Sequence, residues 1–211
     1  MEELFDKLTD YEKNILLIYK SYYHYAINNI DNINDPDILG NIKDLYEYYK
    51  GILSNPNNLF ISMVFKPIDN SSFESFIKSI KKISEDLNGL KGKIKLDSDI
   101  TLYRCVSMQE DDDTFDIAKG NLISTSKSLD VAKKFIIQGP YKNVTYEIKV
   151  GKDTPILVVP YSIKITDDLK LKIVKNDSQD EIILFKDSLD FNYTVSGDKV
   201  LVEANKKDKH L

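Results

Sequence analysis

The N-terminal half of the chain carries hydrophobic residues at steps of three and four, which is the spacing of an amphipathic helix. The apolar face of the first predicted helix comprises Leu8, Tyr11, Ile15, Ile18, Tyr22, Ala26 and Ile30. A second helix is predicted to begin at Asp35-Pro36, an N-cap residue followed by proline at the first helical position, and to end before Asn55-Pro56. A third is predicted from Ser71, with Glu74 completing a capping box, to Asn88-Gly89.

From residue 99 the hydrophobic period changes to two, which is typical of strands with one buried face. The predicted strands are Ile100–Val106, Val144–Val150, Ile156–Val159, Glu181–Phe185, Phe191–Val195 and Lys199–Glu203. One helix is predicted among them, over residues 128–137, and Ser196-Gly197-Asp198 predicts a hairpin turn. The fold class is therefore α+β: an N-terminal helical lobe (1–98), a β-rich core of the same domain (99–204) and a charged tail that frays (205–211).

Composition narrows the function classes. The 211 residues suit a soluble globular protein, and the net charge of -5 argues against non-specific nucleic-acid binding. The single cysteine excludes an internal disulfide, and no cysteine–histidine cluster has zinc-site spacing. No stretch reads as a signal peptide or a membrane span. We expect a cytoplasmic protein, or one delivered into a host cell by other means, with a monomer as the default and no metal, nucleic-acid or membrane partner.

The stretch Asn121–Phe135 reads as a short strand that runs directly into a helix. Ser128 is the expected N-cap, with an acidic residue in the first turn where the helix dipole favours it. Because side chains alternate along a strand, Ser124 and Ser126 share one face, while Thr125 points the other way, into packing. Taken alone, this stretch is an ordinary capped strand–helix junction.

Two further features change that interpretation. Arg104 is the only arginine among 29 basic residues, and a retained arginine indicates a need for its planar guanidinium. Gln179 and Glu181 precede an apolar strand and share one face, which places an amide beside a carboxylate. Each residue also has a plain structural interpretation: Arg104 as a surface ion-pair residue, Gln179 as loop filler and Glu181 as a solvated charge.

Three motifs in chain order carry a resemblance to a known family. They are Leu102-Tyr103-Arg104, then Ser124-Thr125-Ser126 before a helix, then Gln179-Asp180-Glu181 before an apolar strand. In this order the chain resembles the mono-ADP-ribosyltransferases of the Arg–Ser–Glu class, which include the clostridial Rho-modifying exoenzymes and the enzymatic components of binary toxins. The resemblance covers residues 99–196 and implies a helical lobe followed by two packed, mostly antiparallel sheets around an NAD cleft.

The resemblance implies a role for each residue in breaking the nicotinamide–ribose bond of NAD, the substrate. Glu181 stabilises the oxocarbenium-like ribose, and Ser124 orients that carboxylate. Arg104 holds the pyrophosphate, and the stretch Ser124, Thr125 and Ser126 belongs to the NAD site. Gln179, two residues before the glutamate, is the family variant that goes with an asparagine acceptor on a target protein, such as a host GTPase or another host factor.

The chain also departs from the family pattern. Cys105 stands where many relatives have glycine after the arginine, and residues 175–178 contain no aromatic side chain of the kind the Rho-modifying enzymes carry there. The helical stretch Tyr25–Asn29 is not followed by a second arginine, so Lys43 or Lys50 is left as its replacement. Two alternatives therefore stay open: an NAD glycohydrolase, in which water is the acceptor, and a non-catalytic interaction protein that keeps the fold.

Overall fold

The chain is an α+β protein in which helices precede a large mixed sheet. The computed structural model describes residues 5–53, 64–108, 117, 120–165, 171–175 and 181–207. The chain divides into two compact units, one of Met1–Gly89 with Val159–Asn176 and the other of Leu90–Val158 with Asp177–Leu211. No helix within the described ranges is both long and apolar enough to cross a bilayer.

The first unit begins with a helix that is interrupted. Helix α1 (Asp10–Ile18) starts at a capping box in which Thr9 and Glu12 satisfy each other's backbone amides. A π-helical turn over Tyr19–Tyr23 follows, before α2 (His24–Asn29) and a 3-10 turn over Ile30–Asn32. The single helix predicted over residues 8–30 is therefore wrong in its continuity, because the Ser21 hydroxyl bonds back to the carbonyl of Ile18 and its backbone leaves the helical region at ψ -164°.

The next two helices lie close to their predicted bounds. Helix α3 (Pro36–Leu53) begins where Asp35 accepts hydrogen bonds from the first-turn amides, as its sequence predicts. Helix α4 (Phe73–Gly89) is capped by Ser72, whose Oγ lies 3.1 Å from the amide nitrogen of Ser75. The prediction of Ser71 as the cap is thus wrong by one residue.

An aromatic and aliphatic core holds these helices together. Its most buried members are Ile15, Leu16, Ile18, Tyr23, Ile27, Ile42, Phe76, Ile80 and Ile83. Phe76 lies between two tyrosine rings, with centroid distances of 5.9 Å to Tyr23 and 5.3 Å to Tyr46. These two tyrosines therefore serve packing within the helical unit.

Tyr11 of α1 makes the stability of this unit sensitive to alkaline pH. Partial burial of the ring, the hydrogen bond from its hydroxyl to Asp86 and the negative charge of that carboxylate raise the pKa of Tyr11 from 10.0 to about 12. The folded chain then holds the phenol proton more tightly than the unfolded chain does. The resulting stabilisation is complete below pH 10 and is lost as the pH rises towards 12.

We therefore expect Tyr11→Phe to flatten the fall in the free energy of unfolding between about pH 10 and pH 12, as measured by urea unfolding at stepped pH. Tyr48→Phe, at an exposed tyrosine of the same unit, is the control for the loss of a phenol. A Tyr11→Phe curve no flatter than that of Tyr48→Phe would contradict the prediction.

The first unit also contains a hairpin that the sequence pattern did not predict. Strands β5 (Tyr161–Ile165) and β6 (Leu171–Lys175) pair in antiparallel fashion. Strand β6 is not among the strands predicted from the sequence, because residues 166–177 have a mostly polar composition that is typical of a loop. The ring centroid of Phe5 lies 5.3 Å from that of Tyr161, which ties the hairpin to the start of the chain.

The second unit is built on one seven-stranded sheet. Its strands are β1 (Ile100–Met108), β2 (Leu122–Ser126), β3 (Lys142–Val150), β4 (Ile156–Val159), β7 (Glu181–Phe185), β8 (Leu189–Ser196) and β9 (Lys199–Lys206). Their order is β4-β7-β2-β1-β3-β9-β8. The sheet is mixed because β3 and β9 are parallel while several neighbours are antiparallel. Among the described residues the strands thus form this seven-stranded sheet and the two-stranded β5–β6 sheet, and β3 with β9 is the one parallel pair among the strand pairs whose register is described. The packing of two sheets around an NAD cleft stays a prediction.

The join between β1 and β2 is the narrow point of the sheet. Across the described residues these strands meet at one pair, Tyr103 with Ser126, whereas β1 and β3 pair along nine residues. Every residue of β4 and β7 is buried, so that side of the join has apolar cover on both faces. The strands β7 and β2 therefore form a rigid support next to the point where the sheet narrows.

Three connecting segments differ from expectation. Helix α5 (Leu129–Lys133) is shorter than the predicted 128–137. Beyond its end the amide of Ile137 donates a hydrogen bond to the hydroxyl of Ser107, and Phe135 is 59% exposed. The sequence pattern predicts no element over residues 91–97, and the structure ties Leu96 of this segment to residues 153–154 of the same unit by backbone hydrogen bonds. The predicted tail starts too early, because β9 continues through Asn205 and Lys206, whereas residues 208–211 lie outside the described residues.

Candidate functional site

Glu181 and Ser126 stand directly opposite each other at the ends of two paired strands. Glu181 is the first residue of β7 and is 8% exposed, while Ser126 is the last residue of β2 and is 6% exposed. Residues directly opposite in an antiparallel pair share a face, and so do residues two apart on one strand. Ser124 therefore shares the face of Ser126, as their spacing in the sequence predicts, and the register places it diagonally across from Glu181.

The junction after β2 holds this serine pair in place. The Ser126 hydroxyl accepts a hydrogen bond from the amide of Ser128 at 3.1 Å, and the Ser128 hydroxyl in turn caps α5 through the amide of Val131. The predicted N-cap is confirmed. Ser126 thus links the helix start to the strand end beside Glu181, so α5 fixes the position of the hydroxyl next to the carboxylate.

Sequence reasoning assigned the orienting role to Ser124 and placed Ser126 only in the predicted NAD-binding stretch. The register makes Ser126 the direct cross-strand neighbour of Glu181 and adds Tyr103 of β1 to the same row. Alternation identifies which residues of one strand share a face, but it does not identify their partners on the neighbouring strand. The register between the two strands follows from packing across the whole sheet. No signal within the single sequence distinguishes the two serines.

Thr125 lies on the other face and serves the sheet. Its side chain is buried, and its hydroxyl donates a 2.6 Å hydrogen bond to the carbonyl of Ile182 on β7. This agrees with the expectation that Thr125 points into packing. The role of Thr125 in binding NAD stays a prediction, and this geometry does not favour it, because the hydroxyl is already used.

We expect Thr125→Val to lower the free energy of unfolding by about 1 kcal/mol, since the shape is kept and the carbonyl of Ile182 loses a buried donor. Urea unfolding measures the loss. Thr101→Val, at a half-buried position on β1, is the control and should stay within about 0.5 kcal/mol of the wild type. A Thr125→Val protein as stable as this control would contradict the structural role.

Arg104 bridges the narrow join between β1 and β2. Its side chain is half-buried, and Nη1 donates a 2.8 Å hydrogen bond to the backbone carbonyl of Ser124. The guanidinium therefore supplies a cross-strand contact just beyond the residue pair that joins the two strands. The lone arginine thus lies beside the predicted serine motif. The contact is a hydrogen bond to a backbone carbonyl and not a surface ion pair.

Alternation along β1 separates Arg104 from its neighbour Tyr103. Tyr103 belongs to the row of Ser126 and Glu181, whereas Arg104 stands opposite the fully buried Tyr146 of β3 on the other face. The structure therefore brings Ser124, Ser126 and Glu181 together on one face and brings the Arg104 guanidinium to the backbone of Ser124. Gln179, the remaining predicted site residue, lies outside the described residues.

A groove of about 330 Å³ adjoins the Tyr103 end of this row. It is lined by Tyr103, Leu129, Lys133, Thr145, Glu147, Ser196, Asp198 and Lys199. Lys199 and Glu147 form an ion pair across it at 2.6 Å. In the described part of the chain, no group of three or more histidine, cysteine, aspartate or glutamate side chains is placed to hold a metal ion.

Comparison with solved structures yields distant matches. No protein-family model matches the chain, and no curated protein is detectably similar to it. The chain is similar to the crystal structure of the ADP-ribosyltransferase Vis in complex with agmatine, with 12% identity, a TM-score of 0.39 and coverage of 96% of this chain and 87% of that one. It is similar to the Vis toxin, an ADP-ribosyltransferase from Vibrio splendidus, with 13% identity, a TM-score of 0.39 and coverage of 99% and 86%. Likeness at this level decides neither the fold family nor the activity.

Proposed function

We propose that the chain is an NAD-dependent protein mono-ADP-ribosyltransferase, which moves ADP-ribose from NAD to a side chain of a target protein and releases nicotinamide. The observation that carries the proposal is the buried carboxylate of Glu181 beside the hydroxyl residues Ser126 and Ser124, on the strand pair that the guanidinium of Arg104 also reaches. A carboxylate, hydroxyls and an arginine are the groups that this reaction needs at one strand junction.

Each group has a task in the proposed chemistry. The bond between the nicotinamide nitrogen and ribose C1′ breaks, and the nitrogen keeps the electron pair. Glu181 accepts a hydrogen bond from a ribose hydroxyl and stabilises the positive charge that develops on the sugar. Ser126 and Ser124 hold that carboxylate, with Ser126 as its nearer neighbour by register. Arg104 leaves β1 on the face opposite to Glu181, so its proposed role of binding the pyrophosphate oxygens requires the guanidinium to reach round the strand junction at which it bonds the Ser124 carbonyl.

The proposed acceptor is an asparagine side chain of a target protein, such as a host GTPase or another host factor. Its amide nitrogen attacks C1′, and the proton that it loses as the new bond forms passes to solvent water, while nicotinamide leaves as a neutral molecule. Gln179 supports this choice, because an amide at that position cannot remove a proton from a guanidinium and so does not suit an arginine acceptor. The target itself has to be found by labelling.

The test follows both halves of the reaction. Purified protein is incubated with labelled NAD and a cell lysate, and released nicotinamide and protein-bound label are measured together. We expect both products, and mass spectrometry should place the label on asparagine. Nicotinamide release with no labelled protein would replace the transferase by an NAD glycohydrolase. Neither product, together with no heat of NAD binding by calorimetry, would overturn the proposal in favour of a non-catalytic interaction protein.

A further inference from the structure

Strand β8 leaves one edge of the seven-stranded sheet open to solvent. It is the last strand in the sheet order, and six of its eight residues are exposed. The opposite edge strand, β4, has all four of its residues buried. An edge strand presents backbone amide and carbonyl groups that can pair with another strand, so the two edges differ sharply in what they offer a partner.

The apolar face of the sheet continues onto this open edge. The alternate residues of β9 that face the core are buried, and their partners on β8 are Phe191, Tyr193 and Val195. Tyr193 is 42% exposed and Val195 is 49% exposed, while the rings of Phe191 and Tyr193 stack at 6.2 Å between centroids. An apolar stripe therefore runs along an edge that also offers backbone hydrogen-bonding groups.

Among the described residues, β8 lacks two of the devices that usually protect a free edge. Its sequence, Leu-Asp-Phe-Asn-Tyr-Thr-Val-Ser, contains no proline and no lysine, and Asp190 is its only charged residue. Aromatic and β-branched residues, which favour strand pairing, occupy the exposed stripe. Natural sheets avoid this combination at an edge unless the edge is used for pairing.

We propose that β8 pairs in antiparallel fashion with β8 of a second copy of this chain, in a register centred on Tyr193. In that register Tyr193 meets its own copy, and each Phe191 meets Val195 of the other chain, which gives aromatic–aromatic and aromatic–β-branched pairs. On the other face Asp190 meets Ser196 and Asn192 meets Thr194, so no like charges stand opposite each other. Because β8 is complementary to itself in this register, we infer that its partner is a second copy of this chain. The open edge of β8 by itself would accept any strand.

An interface of one strand pair is small and is expected to be weak. Sedimentation analysis over about 1–300 µM therefore tests the pairing. The weight-average mass of the wild type should rise with concentration from 24.3 kDa towards twice that value. Tyr193→Lys places two positive charges opposite each other and should raise the dissociation constant about tenfold or more. Tyr48→Lys, at an exposed helical tyrosine, is the matched control and should associate as the wild type does.

Cysteine cross-linking tests the register. Tyr193→Cys should form a disulfide with its own copy under mild oxidation, since the two residues stand opposite each other. Val195→Cys alone should not, because its two copies lie about 13 Å apart in this register, but it should cross-link when mixed with Phe191→Cys. The native Cys105 is buried and does not compete.

These outcomes decide the proposal without reference to NAD chemistry. A wild-type protein that stays monomeric over the whole concentration range would overturn it. So would a dimer whose strength is unchanged in Tyr193→Lys, or one in which Val195→Cys cross-links to itself as readily as Tyr193→Cys does. Loss of enzymatic activity in these variants is not part of the test.

Discussion

Glu181→Gln is expected to lower the rate of nicotinamide release from NAD by about 10²–10⁴-fold, while the protein stays folded. The amide has the size of the carboxylate and can still accept a hydrogen bond from a ribose hydroxyl. It carries no negative charge, however, and so loses the stabilisation of the positive charge that develops on the sugar. The cost falls on the rate more than on NAD affinity, because that charge is largest in the transition state.

The measurement is steady-state nicotinamide release with kcat and KM determined separately, beside thermal unfolding of the same preparations. Glu181 is buried, and an uncharged amide of similar size is easier to bury than a carboxylate, so the variant should stay folded at the assay temperature. Glu203→Gln, at an exposed glutamate of β9, is the matched control and should keep the wild-type rate. A Glu181→Gln protein that keeps most of the wild-type kcat would remove Glu181 from the chemistry.

The strands around this residue were predictable because their sequence pattern is local. A strand with one buried face alternates, so the bounds of β3 and β9 lie close to those expected. The buried strand β7 was also recognisable, since an uninterrupted run of apolar residues follows Glu181. The shared face of Ser124 and Ser126 follows from the same period of two.

Other features depend on contacts that no local pattern encodes. Strand β6 (Leu171–Lys175) reads Leu-Lys-Ile-Val-Lys, which breaks strict alternation, and its short length and charged surroundings made it resemble a loop. The break at Ser21 depends on one side-chain bond to the preceding turn, which an unbroken apolar stripe conceals. The pairing of Ser126 with Glu181 depends on the register between β2 and β7. A register shifted by one residue would have the same two strand sequences, so the sequences alone do not reveal it.

Arg104 is where the structural and the functional interpretations of the site overlap. Its Nη1 bond to the Ser124 carbonyl holds β1 and β2 together next to their single residue pair, and this alone gives a reason to keep an arginine. The proposed function adds a second reason, the planar fork that binds pyrophosphate oxygens. A substitution that keeps the charge but removes the fork distinguishes the two.

Arg104→Lys is therefore expected to raise the KM for NAD by about 10–100-fold and to lower the free energy of unfolding by about 1 kcal/mol. The affinity falls because an ammonium group cannot make two parallel bonds to the pyrophosphate, and the stability falls because the bond to the Ser124 carbonyl is lost. Steady-state kinetics of nicotinamide release gives the KM for NAD, and urea unfolding gives the stability of the same protein.

Thr154→Val is the control that separates these effects. The Thr154 hydroxyl is buried and donates a 2.7 Å hydrogen bond to the carbonyl of Gly151, so its loss should also cost about 1 kcal/mol of stability. Thr154 is not among the residues proposed to bind NAD, and its KM should stay that of the wild type. If Arg104→Lys lost stability like Thr154→Val but kept the wild-type affinity for NAD, then Arg104 would serve only the join between β1 and β2. The pyrophosphate would then have to be held by another cation, since the sequence contains no second arginine.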